Sequence, residues 1–113
     1  MVNNQIILFK FIQIHTNVDW NYISRKYTLS ENFIHEFKDK VNWADISYGQ
    51  KLSENLIREF QDKVYWPSIS MHQKLSEDFI REFKDKLDWK YLSKYQKLSE
   101  KFKSEFNHKL LYK

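Results

Sequence analysis

Lysine recurs at positions 40, 63, 86 and 109, and again at 51, 74 and 97, each row advancing by 23 residues. Evenly spaced cations with tyrosines between them could follow a phosphate backbone while the rings stack on bases. Lys40, Lys63 and Lys86, however, each directly follow an aspartate (Asp39, Asp62, Asp85) and lie one turn beyond a glutamate of the Glu36 type. Acids so placed cancel much of the field. The rows therefore fit solvated ion pairs better than a phosphate-binding stripe. The histidines, His15, His35, His72 and His108, share no close spacing, and none forms the i,i+4 pair of a helical zinc motif. Solvent-exposed histidines and no metal site are expected. Glu31 and Glu36 lie five residues apart, about 140° around a helix, so they do not converge on one substrate. The serines have local uses as helix caps. With Gly49 the only glycine, no phosphate-cradling loop can form. An enzyme needs unlike groups converging on one place, whereas here like residues stand in rows. No catalytic residue, cofactor or small-molecule substrate is expected.

The elements that must carry these rows follow from a repeat. Trp20, Trp43, Trp66 and Trp89 are 23 residues apart, as are Leu29, Leu52, Leu75 and Leu98, and Phe37, Phe60, Phe83 and Phe106. Units starting at 29, 52 and 75 agree at 12 of 23 positions without insertion, the mark of a stacked array. Each unit holds two helical patterns. The longer begins at a serine N-cap, as at Ser30, and carries Phe33, Ile34, Phe37 and Val41 on one stripe, about eleven residues in all. Its Glu31–His35, Glu54–Arg58 and Glu77–Arg81 spacings predict i,i+4 pairs. The shorter, as at Asp19 to Ser24, has Asp19, Asn42 and Asp88 as N-caps, with Tyr65 the exception and Pro67 tolerated in the first turn. It runs about seven residues. Helices this short are marginal alone, so neighbouring units must bury each other's rings.

The fold class expected is all-α, an α-solenoid-like array of short helix pairs. Residues 1–113 form one domain: 1–18 an N-terminal cap, 19–97 the repeats, 98–113 a C-terminal cap. In the first, Ile6, Phe11, Ile14 and Val18 align with Leu29, Ile34, Phe37 and Val41; in the last, Phe102, Phe106 and Leu110 keep the stripe. The predicted core comprises Trp20, Trp43, Trp66, Trp89, Phe37, Phe60, Phe83 and Phe106. The absence of cysteine and of a basic n-region before the apolar start fits an intracellular protein, and no run approaches a membrane span. Abundant Lys, Asn, Ile, Phe and Tyr, whose codons are A/T-rich, point to an A/T-rich genome.

The string W-x-x-I-S followed by Q-K-L-S-E-x-F-I-x-E-F-x-D-K-V resembles a short repeat in uncharacterised proteins of mimivirus-like giant DNA viruses. The resemblance covers residues 18 to 110. It implies a viral protein acting inside an infected cell and brings no activity or functional residue with it.

Partner-binding residues are sought where units differ. After each tryptophan stand Asn21-Tyr22, Ala44-Asp45, Pro67-Ser68 and Lys90-Tyr91; after the next serine, Arg25-Lys26, Tyr48-Gly49, Met71-His72 and Lys94-Tyr95. Tyr22, Arg25, Tyr48, Met71, Tyr91, Lys94 and Tyr95 are the candidates, of types that serve protein interfaces. The expected function is a protein–protein interaction module, a viral factor that binds a host or viral protein. The alternatives are a nucleic-acid-binding module and a self-associating structural protein.

Overall fold

The computed structural model describes residues 4–14 and 17–110. Over these the chain is all-helical, with no strand. An 11-residue helix, α1 (Asn4–Ile14), precedes four short helices, α2 (Trp20–Lys26), α4 (Trp43–Gly49), α6 (Trp66–His72) and α8 (Trp89–Tyr95). Between and after them come α3 (Glu31–Glu36), α5 (Glu54–Glu59), α7 (Glu77–Glu82) and α9 (Glu100–Glu105). The starts are as the caps dictate. Ser30, Ser53, Ser76 and Ser99 accept the N–H three residues on through their hydroxyls, and Asp19, Asn42 and Asp88 do so through their side chains. Tyr65 makes no such bond, and Pro67 occupies the first turn of α6.

The second pattern is shorter than its periodicity suggests. It gives six α-helical residues, not eleven, because the ladder breaks at Phe37, Phe60, Phe83 and Phe106. Phe37 leaves helical geometry at φ −107° and ψ 30°, and a fresh turn follows in which Lys40 and Val41 donate to its carbonyl. The freed Lys38 carbonyl does not wait for a backbone donor. It accepts the indole N–H of Trp43 at 2.9 Å, and Trp66 and Trp89 do the same for Gln61 and Lys84. The apolar stripe nevertheless survives the break, since a helical turn follows it.

Units stack in one direction: α2 packs on α4, α4 on α6 and α6 on α8, in a molecule 54 × 27 × 22 Å. The core is a set of rows: Ile23, Ile46, Ile69 and Leu92; Phe33, Leu56, Phe79 and Phe102; Ile34, Ile57 and Ile80. The tryptophans are half-buried at its side, not in its centre, each ring resting on the next phenylalanine: Trp20 on Phe37, Trp43 on Phe60, Trp66 on Phe83 and Trp89 on Phe106, centroids 4.9 to 5.3 Å apart. An indole that must reach a carbonyl at the helix break cannot also sit in the middle of the core. Phe60, Phe83 and Phe106 are buried, while Phe37 is half-buried.

At the far end Phe102, Phe106 and Leu110 keep the stripe. At the near end the alignment holds only at Val18, which packs against the core. Ile6, Phe11 and Ile14 are exposed, and α1 turns Leu8, with Phe9 and Ile12, toward the core. A continuous 11-residue helix has no phenylalanine break, so its buried face follows a different phase from that of the repeats.

Candidate interaction surface

The short helices form the row on which a surface could be built, and what holds them is polar and buried. Ser24 Oγ accepts the Asn42 N–H, Ser47 Oγ that of Tyr65 and Ser70 Oγ that of Asp88, all at 2.9 Å. The C-cap glutamines do more. Gln73 Oε1 accepts the Leu52 N–H at 3.0 Å, while its Nε2 donates to Ser47 O at 3.1 Å and Gln50 O at 2.7 Å. Gln50 treats Leu29, Ser24 and Tyr27 alike, and Gln96 treats Leu75, Ser70 and Gln73. Each carboxamide thus closes three backbone groups of the preceding unit, and the backbone carbonyls of Gln50 and Gln73 in turn accept from the next glutamine. This ladder was missed from sequence, although the signal was there: Q-K-L-S recurs, and a polar residue fixed beside a core leucine needs a reason.

Because the inner wall of each short helix is occupied by Ile23-type and Ser24-type residues, the outer positions are free of framework duty. Tyr48 is 64% exposed, Tyr22 48% and Tyr95 49%; Arg25 and Lys94 are exposed, and Met71 and Tyr91 half-buried. Several of these side chains meet neighbours on the same row of helices. Tyr48 meets His72 of the next unit at 4.3 Å, ring edge to face, and Arg25 Nε lies 4.0 Å from Asp45 of the next unit. Within units Tyr22 meets Tyr27 and Tyr91 meets Tyr95, both at 6.2 Å, and the Lys94 ammonium lies 5.3 Å from the Tyr95 ring. The stacking of α2, α4, α6 and α8 sets the candidates along the array.

The opposite edge is spent on ion pairs between units, not on the i,i+4 pairs the spacing predicted. Arg58 pairs with Glu82 at 2.9 Å, Arg81 with Glu105 at 3.0 Å, and His35 with Glu59. The glutamates that open α3, α5 and α7 instead clasp the next N-cap serine: Glu54 accepts the Ser76 N–H at 2.7 Å and its hydroxyl at 3.0 Å. Both members of the i,i+4 spacing lie inside the six-residue helix, but the neighbouring unit supplies each with a hydrogen-bonded partner. In the same clasp the Ser99 N–H and hydroxyl hold the Glu77 carboxyl below its ordinary range, with a smaller contribution from Arg81.

The two lysine rows differ. Lys63 pairs with Asp39 at 3.5 Å and Lys86 with Asp62 at 3.7 Å, across units, while Lys109 lies 5.6 Å from the Trp89 ring. Lys51, Lys74 and Lys97 are exposed and make no ion pair among the described residues. His35 and His72 have the partners named above, His108 is exposed, and His15 lies outside the described residues. Among the described residues no three His, Cys, Asp or Glu could hold a metal, and no helix is long and apolar enough to cross a membrane. No family model, curated protein or solved structure matches the chain.

Proposed function

We propose that the row of short helices is a protein-binding surface read across successive units, and that the chain is a non-enzymatic interaction module. One observation carries this. The outward residues of the stacked helices α2, α4, α6 and α8 differ from unit to unit, while the positions beneath them repeat and are bound into the framework. An array built this way offers a varied surface on a constant scaffold, as interaction solenoids do. The resemblance to giant-virus repeats supports a viral factor acting on a host or viral protein within the infected cell.

The test is affinity capture from cell lysate with and without nuclease, comparing the parent with the variant Arg25→Glu, Tyr48→Ala, Lys94→Glu. All three residues lie outside the core, so the denaturation midpoint should hold while a stoichiometric, nuclease-resistant partner is lost. Capture unchanged by the variant, or abolished by nuclease, overturns the proposal.

A second reading, self-association, draws on a different observation. Ile6, Ile7, Phe11 and Ile14 leave an apolar face on α1, beside an open cavity of about 470 Å³ lined by Leu8, Tyr22, Ile23 and Tyr27. A solution mass that rises with concentration, and that Ile7→Lys lowers, would support it.

A further inference from the structure

Charge is divided along this chain in a way its mild net value conceals. Residues 20–28, 43–51, 66–74 and 89–97, the short helices and their exits, carry seven lysines and arginines and a single acid, Asp45. The intervening 29–42, 52–65, 75–88 and 98–110 carry ten bases and thirteen acids. The structure sharpens the division. Four bases of the second group, Arg58, Lys63, Arg81 and Lys86, are drawn into pairs with neighbouring units, whereas Lys51, Lys74 and Lys97 stand exposed without one. Each follows a C-cap glutamine at the end of α4, α6 or α8, the helices that bear Tyr48, Met71 and Tyr95.

From this we infer that the partner presents an acidic, extended polypeptide segment, which lies along the short-helix row with its carboxylates on Lys51, Lys74 and Lys97. The inference rests on the protein-binding reading and specifies its chemistry. Spacing supports it. Helices packed side by side stand about 8–10 Å apart, so lysines displaced by one unit recur at about that interval. A segment extended as polyproline II advances about 3.1 Å per residue with three residues per turn, so an acid at every third position returns to one face about every 9 Å and falls into register. A nucleic-acid duplex carries a charge about every 1.7 Å of axis, most of which three widely spaced lysines would leave unmatched. The tyrosines also suit a side-chain partner better than bases. Tyr22 and Tyr48 already have ring neighbours set at 82° and 64°, so they do not stand as open stacking platforms.

The experiment uses the full chain and a labelled synthetic peptide of about 20 residues with glutamate at every third position, in physiological salt. A peptide of the same composition with its glutamates clustered, and a single-stranded and a duplex oligonucleotide of similar length, serve as competitors. The expected result is that the periodic peptide binds best. Lys51→Glu, Lys74→Glu, Lys97→Glu should weaken it at least about tenfold, since three exposed attractions become repulsions. The neutral triple variant to glutamine, at the same positions, should fall between, and Lys40→Glu, a change on the other row, should leave the peptide affinity unchanged. Equal binding by parent and reversed variant overturns the inference, as does tighter binding of either oligonucleotide. If the peptide fails while the Arg25, Tyr48 and Lys94 variant still loses a nuclease-resistant partner, the acidic segment is wrong and the interaction surface stands.

Discussion

Gln73 and Arg81 both reach out of their own unit, one inward and one at the solvent edge. Gln73 is 5% exposed and closes an N–H and two carbonyls of the unit before it; Arg81 lies at the surface, bonded to Glu105 of the unit after it. The chemistry each position accepts follows from its surroundings. A buried site that must satisfy one donor and two acceptors needs a group with one acceptor and two donors in a fixed plane, which is a carboxamide. A carboxylate would set lone pairs against the two carbonyls, and a leucine would leave all three groups unpaired. At the edge water completes whatever the side chain does not, and the corresponding positions read His35, Arg58, Arg81 and Ser104. The interior ladder sets the register of the stack, and the exterior one trims it.

The largest break in that comparison is Gln73→Leu. It leaves the Leu52 N–H and the Ser47 and Gln50 carbonyls buried without this partner, at about 1–3 kcal/mol each. A loss of about 3–6 kcal/mol in urea denaturation is expected, a large share of the roughly 5–15 kcal/mol that holds a small domain together. Gln96→Leu should cost about half as much, because Gln96 is half-buried and its bond to Leu75 is 3.5 Å long. Equal costs at the two positions would mean that the ladder is not what sets them.

Ser70→Ala comes next. Its buried hydroxyl accepts the Asp88 N–H at 2.9 Å and donates to Trp66 O at 2.8 Å, so a loss of about 1–2 kcal/mol is expected. The same change at Ser104, an exposed serine of α9, should fall within about 0.5 kcal/mol of zero.

These two ladders also show where sequence reasoning reached and where it stopped. The 23-residue period, the serine and aspartate caps and the all-α stack were legible because each is local: a cap needs only its own next turn, and a period needs only counting. The break at Phe37 was not legible, because it depends on the indole of Trp43 taking the Lys38 carbonyl, a contact that exists only once the chain has folded back. Charge pairing failed for a related reason. Glu54 and Arg58 satisfy the i,i+4 rule, but stacking brings each a partner in the adjacent unit, Ser76 and Glu82. For the surface, Tyr22, Tyr48 and Tyr95 were found by their variation between units. The contrast between the two lysine rows needed the partners of Lys63 and Lys86 to be seen.

Glu77→Gln tests the clasp between them, exposed like the charged edge but bonded to backbone like the interior. The Ser99 N–H and hydroxyl bind the ionised carboxylate and hold it below its ordinary value of 4.5. A carboxyl whose folded value is depressed stabilises fully above the unfolded value and loses that contribution as pH falls through the folded one. The gap in denaturation midpoint between parent and variant should therefore be widest near neutrality. It should begin to close once the pH drops to about 4.5 and vanish below the depressed value. A gap independent of pH would show that the clasp acts through shape alone.

The smallest effect belongs to the outermost pair. In a double-mutant cycle of Arg58→Ala and Glu82→Ala, the coupling should stay below about 1 kcal/mol and shrink as salt is raised, because both side chains are more than a third exposed. Arg58→Ala alone should cost more than that coupling, since the guanidinium also lies 5.2 Å from the Phe79 ring centre and its stem covers apolar surface. Arg58→Lys separates the two terms: it keeps the charge but loses the two-oxygen contact that Nε makes with Glu82 at 2.9 and 3.1 Å. A coupling above about 2 kcal/mol, unmoved by salt, would place the edge alongside Gln73 as a determinant of register and remove the distinction between the two ladders.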